Sequence, residues 1–421
     1  MISFTPELVF GAKRPTISVS GILVFAAVCV SAGLIARPLR RSTSRHKEPY
    51  ILSPDKAATS ALSKSGVQEL PYPPDALPSA RDVETPYGSI RVYEWGPEDG
   101  ERVLFVHGIS TPVVGLGDLG HEMVKRGCRV MLFDLFGRGY SDAPDDLTYD
   151  LRLYVTQLLL VLASSKISWT AAPGFHLVGY SLGGGLCVAF TRYFPHLLRS
   201  LALVAPCGLI RRHHVGWWSW LYYNSGLLPE FLVRHLVKRR IRPNTEPVHA
   251  AGGADIVAAE SEQAVNGDGD SNGGKGFANA VISKTRPHVT VSSVVAWQVD
   301  NHQGFVMAFL STIRNAPIYA PQRDWEALSA VLKARRPMGS IDASGVKLGA
   351  GLEAGKILIV LGEDDGVVVK EEAIEDAEAA LGRDGVEFVM LPGGHELPFT
   401  YSADVAEAIR GFWDRISNKR R

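Results

Sequence analysis

The chain has 421 residues, of which 46% are hydrophobic, so it is long enough for a sizeable core and about two domains. Its 44 basic and 44 acidic residues balance. Because no net positive charge is available to attract phosphates, the composition argues against a nucleic-acid partner. The four cysteines lie in apolar stretches without metal-ligand spacing, which favours reduced thiols and a reducing compartment for the globular part.

An uncharged run, ISVSGILVFAAVCVSAGLIA, occupies residues 17–36. At helical rise, about 20 such residues span the hydrocarbon core of a bilayer. A signal peptide is the alternative, but the run is longer than an ordinary h-region, and a basic cluster at 37–47 follows it. We therefore expect residues 1–16 to be a tail and 17–36 an uncleaved single-pass membrane anchor. The rest of the chain would then be cytosolic, with the endoplasmic reticulum as the default membrane and the mitochondrion or lipid droplet as alternatives.

Residues 37–80 are rich in Ser, Pro, Arg and Ala without a sustained period, which predicts a linker. From residue 81 onward, short apolar runs alternate with longer stretches, a pattern typical of a mostly parallel, doubly wound α/β sheet covered by helices on both faces. The predicted strands are 89–95, 102–106, 129–134, 175–180, 200–205, 356–361 and 386–391. The predicted helices are 115–127, 148–165, 182–194 and 401–416.

The alternation stops between residues 207 and 345, a segment longer than one crossover requires. Its first part is aromatic and then basic, whereas 250–276 is of low complexity and predicts a disordered loop. We expect 207–345 to be an inserted helical subdomain. It would separate the first part of the α/β core, residues 81–206, from the second part, residues 346–421.

A serine lies between two glycines at the end of an apolar strand, in FHLVGYSLGGGL at residues 175–186. A strand that enters a helix through G-x-S-x-G makes a tight turn, with the serine hydroxyl exposed above the sheet. The N–H of the next residue, Leu182, then points to the space where an oxyanion would form. The pentapeptide alone is weak evidence, but here a predicted strand precedes it and a predicted helix follows it. This context predicts that Ser181 is a nucleophile.

A serine hydroxyl becomes a good nucleophile only when a base accepts its proton, and the usual base is a histidine oriented by a carboxylate. His395 follows the last predicted strand in the glycine-flanked loop LPGGHEL. Glu363, Asp364 and Asp365 follow the preceding strand in a row. The carboxyl ends of parallel strands meet at one edge of a sheet, so we expect the serine, the histidine and one of these acids to converge there.

These motifs, in this order, make the chain resemble the α/β-hydrolase superfamily over about 81–206 and 346–416, with the insert in the position of the family's lid. The family's strand-end acid in G-x-x-D corresponds to Asp365, with Asp364 as the runner-up, and its G-G-H loop corresponds to His395. Its His-Gly oxyanion motif corresponds to VLFVHGIS, which implies that Ile109 and Leu182 provide the oxyanion N–H groups. His107 would then shape the oxyanion loop. FDLFGRGYSDAP and NHQGF are two further segments similar to family members.

The resemblance implies a membrane-anchored serine hydrolase of a carboxylic ester, with Ser181, His395 and Asp365 as the catalytic triad and a small-molecule or lipid ester as substrate. No metal or organic cofactor is indicated. Relatives that open epoxides or displace halide use an aspartate nucleophile, which this chain lacks. Two alternatives stay open: another serine-triad hydrolase, such as a C–C bond hydrolase or a thioesterase, and a non-catalytic receptor or scaffold. The oligomeric state is not indicated.

Overall fold

The computed structural model describes residues 48–54, 62, 64–211, 228–241, 274–319, 322–335 and 352–418, and the account below concerns the compact unit Pro49–Arg421. The predicted tail at 1–16 and the predicted membrane anchor at 17–36 lie outside the described residues. Among the described residues, no helix is long and apolar enough to cross a membrane.

An eight-stranded sheet forms the centre of the fold, and a two-stranded pair accompanies it. In chain order the strands are β1 Tyr50–Ile51, β2 Ala80–Val83, β3 Ile90–Trp95, β4 Glu101–Val106, β5 Cys128–Phe133, β6 Ala143–Pro144, β7 Phe175–Tyr180, β8 Leu198–Val204, β9 Ile357–Gly362 and β10 Val386–Leu391. The large sheet runs in the order β10-β9-β8-β7-β4-β5-β3-β2. The six strands from β10 to β5 are parallel, whereas β3 is antiparallel to β5, and β2 to β3. The mostly parallel sheet predicted from the sequence is confirmed.

Helices cover the sheet, which explains why β7 and β9 are wholly buried and mostly apolar. Among the described residues the helices are α1 Lys64–Glu69, α2 Gly117–Lys125, α3 Leu151–Ala163, α4 Leu182–Tyr193, α5 Glu230–Ile241, α6 Gly274–Asn279, α7 Val291–Asn301, α8 Phe305–Asn315, α9 Gln322–Arg335, α10 Lys370–Leu381, α11 Leu397–Thr400 and α12 Ser402–Asn418. α10 was not predicted because its buried face consists of Ala373, Ala377 and Leu381, which give only a weak apolar period.

The predicted linker at 37–80 needs correction in its described part. The strand β1 pairs with β6, and Tyr72 is completely buried. The Tyr72 hydroxyl donates to Asp134 Oδ2 at 2.8 Å, and its ring packs against Tyr140 and Trp297. Single aromatic residues among prolines and serines show no periodicity, so no sequence pattern indicated that this segment packs on the core.

In the described part of the segment predicted as an insertion, five helices, α5 to α9, lie between β8 and β9. We call the described residues 228–241, 274–319 and 322–335 the insert. The predicted disordered loop at 250–276 overlaps α6 at 274–276, where the backbone is helical, and 250–273 lie outside the described residues. Phe277 lies within α6, and its side chain is buried. The low-complexity composition of the residues before it did not indicate this burial.

Candidate functional site

The turn between β7 and α4 holds Ser181 in a strained conformation, with φ 52° and ψ −120°. A side chain at Gly183 would collide with the Val106 carbonyl oxygen, and one at Gly179 would lie 2.5 Å from the Gly183 carbonyl oxygen. Both glycines are therefore required by the close approach of α4 to the ends of β4 and β7. The sequence spacing thus produces the strained strand–helix turn that was predicted for Ser181.

Three side chains form a hydrogen-bonded row at the carboxyl edge of the sheet. His395 Nε2 lies 3.0 Å from Ser181 Oγ, and His395 Nδ1 lies 2.9 Å from Asp365 Oδ2. A carboxylate can only accept, so the Nδ1 proton is donated to Asp365 and Nε2 is left to accept the serine proton. The structure thus brings together Ser181, His395 and Asp365 in the geometry of a nucleophile, a base and an orienting acid.

The turn after β9 decides which of the three neighbouring acids faces the histidine. Asp365 is buried, and its Oδ1 accepts the N–H groups of Val367 at 2.8 Å and Val368 at 2.9 Å. Asp364 is exposed and donates its own N–H to the Gly393 carbonyl at 3.0 Å. The runner-up Asp364 therefore does not reach the histidine, whereas Asp365 is fixed by both of its oxygens.

The loop that carries His395 is fixed by aromatic neighbours. The Tyr180 hydroxyl donates to the His395 carbonyl at 2.9 Å, and the two ring centroids are 5.2 Å apart. Phe277 from α6 lies 5.5 Å from the histidine ring and 6.1 Å from Phe399. Because Ser181 and His395 are both buried beneath these groups, the row lies in a largely apolar environment.

The two predicted oxyanion donors lie in the segments next to Ser181. Leu182 is the first residue of α4, where a helix leaves its N–H without an intrahelical acceptor. Ile109 follows Gly108, and a methyl group added at Gly108 would lie 3.3 Å from Ser181 Cβ, so this loop packs directly on the serine. Within the described residues, neither the Ile109 nor the Leu182 N–H has a hydrogen-bond acceptor. Both groups are thus available to a charge that develops near Ser181.

His107 holds the oxyanion loop, which we define as residues 107–111. Its Nε2 accepts the Leu135 N–H at 2.9 Å, so the ring proton is on Nδ1, which donates to the Gly108 carbonyl at 2.8 Å. Burial lowers the pKa of His107 to about 3, which keeps the ring neutral near pH 7. A trans peptide directs its C=O and N–H in opposite directions, so this contact also orients the Ile109 N–H.

Two side chains beside the row were not predicted as site residues. Cys207 follows β8, the neighbour of β7, and its Sγ lies 3.6 Å from Ser181 Oγ. Phe277 belongs to the insert. Cys207 could have been placed from the strand order, because β7 and β8 end at the same edge of the sheet, but no sequence signal places Phe277.

The segment NHQGF forms the corner between α7 and α8. His302 Nε2 donates to the Ser141 carbonyl at 2.9 Å, and its Nδ1 accepts the Gly304 N–H at 3.2 Å. Burial lowers the pKa of His302 to about 4. The neutral ring therefore attaches the insert to the loop that follows β5.

Comparison with known proteins supports the same fold. Residues 101–400 match the family described as alpha/beta hydrolase fold. A serine hydrolase-like protein of Danio rerio is 27% identical over 129 residues, which are 30% of this chain and 38% of that protein. The 2-hydroxy-6-oxo-2,4-heptadienoate hydrolase of Pseudomonas putida is 30% identical over 112 residues, 26% of this chain and 39% of that protein. The probable lysophospholipase BODYGUARD 1 of Arabidopsis thaliana is 34% identical over 110 residues, 25% of this chain and 23% of that protein.

The chain thus matches less than two thirds of the length of these relatives. Among solved structures, a membrane phospholipase A described as a bacterial virulence factor aligns with a TM-score of 0.54 and 15% identity, over 94% of this chain and 98% of its own. A carboxylesterase from Nitrososphaera gargenis aligns with a TM-score of 0.51 and 14% identity, over 80% of this chain and 100% of its own. At these identities the likeness concerns the fold alone. Since the family match extends over most of the chain, the protein belongs to the alpha/beta hydrolase family.

Proposed function

We propose that the protein is a serine hydrolase that cleaves a carboxylic ester through an acyl-enzyme on Ser181. The observation that carries this proposal is the hydrogen-bonded row in which His395 lies 3.0 Å from Ser181 Oγ and 2.9 Å from Asp365 Oδ2. A neutral imidazole held in this tautomer can take the serine proton as the hydroxyl attacks.

In the acylation step, Ser181 Oγ bonds to the ester carbonyl carbon while its proton passes to His395 Nε2. The carbonyl oxygen becomes an oxyanion that accepts the Ile109 and Leu182 N–H groups. Collapse of this intermediate breaks the bond to the alcohol oxygen, and that oxygen takes the proton from His395. Water then attacks the acyl-enzyme by the same route, which releases the acid and restores Ser181. Loss of one oxyanion donor costs about 100- to 1000-fold in kcat in enzymes of this type.

Apolar groups around the row favour an ester with a hydrophobic acyl chain. Phe277 and Phe399 lie beside His395, and Ser181 is buried with them. A long acyl chain gains about 0.8 kcal/mol for each buried CH₂ group. The similarity to the probable lysophospholipase of Arabidopsis thaliana points in the same direction, so a lipid ester is the substrate class that we propose.

A second serine-triad reaction is the alternative. The relative in Pseudomonas putida is named as a hydrolase of 2-hydroxy-6-oxo-2,4-heptadienoate, which supports a C–C bond hydrolase as this alternative. A thioesterase would use the same three side chains. A panel of p-nitrophenyl esters from acetyl to palmitoyl, lysophospholipids, acyl thioesters and 2-hydroxy-6-oxo acids, each compared by kcat/KM, distinguishes the three reactions.

Fluorophosphonate labelling of the full-length chain tests whether the serine is activated, since the probe reacts only with such a serine. We expect wild-type labelling on the peptide that carries Ser181, no labelling of Ser181→Ala, and slow labelling of His395→Ala. Absence of labelling in a folded wild-type sample, together with no turnover in the panel, would contradict the proposal and favour the non-catalytic receptor or scaffold.

We propose further that residues 17–36 anchor the chain in a membrane as a single span, with the site on the cytosolic side and the endoplasmic reticulum as the default location. The uncharged length of this run and the basic cluster after it support the proposal. The full-length protein should resist alkaline extraction from membranes, and a protease added outside sealed microsomes should digest the site. Release by alkali, or protection of the site from the protease, would contradict the anchor or its orientation.

A further inference from the structure

The oxyanion loop is held at three successive carbonyl groups. His107 holds the Gly108 carbonyl, Arg138 Nε donates to the Ile109 carbonyl at 3.2 Å, and Gln298 Nε2 donates to the Ser110 carbonyl at 2.8 Å. The first of these contacts comes from within the loop itself. The last comes from α7 of the insert, 188 residues away in the chain.

Gln298 makes two backbone contacts through one amide. Its Nε2 donates to the Ser110 carbonyl, and its Oε1 accepts the Gly139 N–H at 2.9 Å. The side chain is completely buried, so each of these backbone groups would lose its partner if the amide were removed. Gln298 thereby joins the oxyanion loop to the glycine-rich loop after β5.

Arg138 extends the same link to α8. Its guanidinium is completely buried and donates to Thr312 Oγ1 at 2.9 Å, in addition to the Ile109 carbonyl. It also donates to the Phe136 carbonyl at 3.1 Å and to the Tyr154 hydroxyl at 3.2 Å. Two helices of the insert, α7 and α8, therefore reach the oxyanion loop, one directly and one through Arg138.

These contacts restrict the orientation of the Ile109 N–H. A rotation of the Gly108–Ile109 peptide requires compensating changes in the neighbouring dihedral angles, and the planes of the next two peptides are held by Arg138 and Gln298. We propose that Gln298 is a positioning residue of the oxyanion hole, through which the insert aligns the Ile109 N–H for catalysis. This inference rests on the function proposed above.

Gln157 provides a matched control. It is also completely buried, on α3, and its amide also bridges two backbone groups: Nε2 donates to the Asp134 carbonyl at 3.0 Å and Oε1 accepts the Phe136 N–H at 3.1 Å. Its contacts hold the loop after β5 and do not include the oxyanion loop. Replacing either glutamine with methionine therefore removes a buried amide of the same size and leaves two backbone groups without that partner.

The experiment compares Gln298→Met with Gln157→Met in the full-length protein on p-nitrophenyl butyrate. Active sites are titrated by complete fluorophosphonate labelling, so that kcat refers to folded sites only. We expect both variants to lose Tm to a similar extent. Only Gln298→Met should lose kcat and kcat/KM together, by about 10- to 100-fold, because a misplaced donor weakens transition-state binding alone. The rate of fluorophosphonate labelling should fall with kcat, while its endpoint per folded protein should not.

An unchanged kcat per titrated site in Gln298→Met, or an equal loss in Gln157→Met, would overturn the inference. If Gln298→Met does not fold, Gln298→Asn serves instead, because it keeps a buried amide but is one methylene shorter, so it cannot bridge the Ser110 carbonyl and the Gly139 N–H. This variant should lower kcat per titrated site with little change in KM, and an unchanged kcat would again overturn the inference. A wild-type protein without labelling or turnover would instead refute the proposed function itself.

Discussion

Replacement of Asp365 with asparagine changes the tautomer of His395 with almost no change in shape. The carboxylate accepts at both oxygens: Oδ2 takes the His395 Nδ1 proton at 2.9 Å, and Oδ1 takes the N–H groups of Val367 and Val368 at 2.8 and 2.9 Å. Asparagine has one acceptor oxygen and one donor NH₂ group, so it can accept either from His395 or from the two valine N–H groups, but not from both.

The number of unsatisfied donors decides the orientation of the new amide. If its NH₂ faced the two backbone N–H groups, two buried donors would lose their acceptor, at about 1–3 kcal/mol each. The oxygen therefore stays with Val367 and Val368, and the NH₂ group faces His395 Nδ1. That nitrogen must then accept, which moves the imidazole proton to Nε2, the atom that should take the proton of Ser181. We expect kcat to fall by about 10,000-fold, equivalent to about 5 kcal/mol of transition-state stabilisation.

The assay is ester hydrolysis by wild type, Asp365→Asn and Asp364→Asn, with Tm measured for each. Asp364 is the matched control, since it is the adjacent residue and its side chain is exposed. Asp364→Asn should keep wild-type kcat. The reasoning would be refuted by a folded Asp365→Asn enzyme that keeps more than about a tenth of kcat, or by an equal loss in Asp364→Asn.

Three further changes test the surroundings of the row. In Gly108→Ala the new methyl group would lie 3.3 Å from Ser181 Cβ, so kcat should fall by about 10-fold or more at a nearly unchanged Tm; an unchanged kcat would contradict the close approach. Burial lowers the pKa of His302 to about 4, so as pH falls the unfolded chain protonates this histidine before the folded protein does. The free energy of unfolding should therefore decrease as pH falls from about 6.5 towards 4, by about 3 kcal/mol in total. His302→Gln should flatten the fall of Tm over that range, and an equally steep fall in the variant would show that other groups cause it. Phe277 lies 5.5 Å from the ring of His395, so Phe277→Ala removes apolar surface beside the row and should slow labelling by a fluorophosphonate with a long alkyl chain more than labelling by one with a short chain; an unchanged ratio of the two rates would show that this ring does not contact the chain.

The sequence predicted the sheet and the members of the row because both follow from local patterns. Apolar runs of strand length indicated the parallel strands, and G-x-S-x-G at the end of β7 required a tight turn that only glycine neighbours permit. Ser181 follows β7 and His395 follows β10, and the carboxyl ends of parallel strands share one edge. Their proximity therefore required only the strand directions.

Such patterns could not distinguish between adjacent residues of one loop. Asp364 and Asp365 follow the same strand, and spacing in the family motif was the only sequence signal that ranked them. The turn after β9 separates them, because Val367 and Val368 donate to the buried carboxylate and Asp364 is left in solvent. The segment before β2 was misread for a related reason, since the burial of Tyr72 depends on partners that lie far along the chain.

The sequence by itself determined which functional residues lie at the carboxyl edge of the sheet: the nucleophile, the base and three candidate acids. Only the tertiary structure decided how the insert joins that edge. Gln298 meets Ser110 across 188 residues, and Thr312 meets Arg138 across 174. A side-chain amide or hydroxyl on a helix looks the same in a sequence whether it faces solvent or a backbone carbonyl. Its partner is set by the packing of α7 and α8 against the loops of the sheet, which no local period encodes.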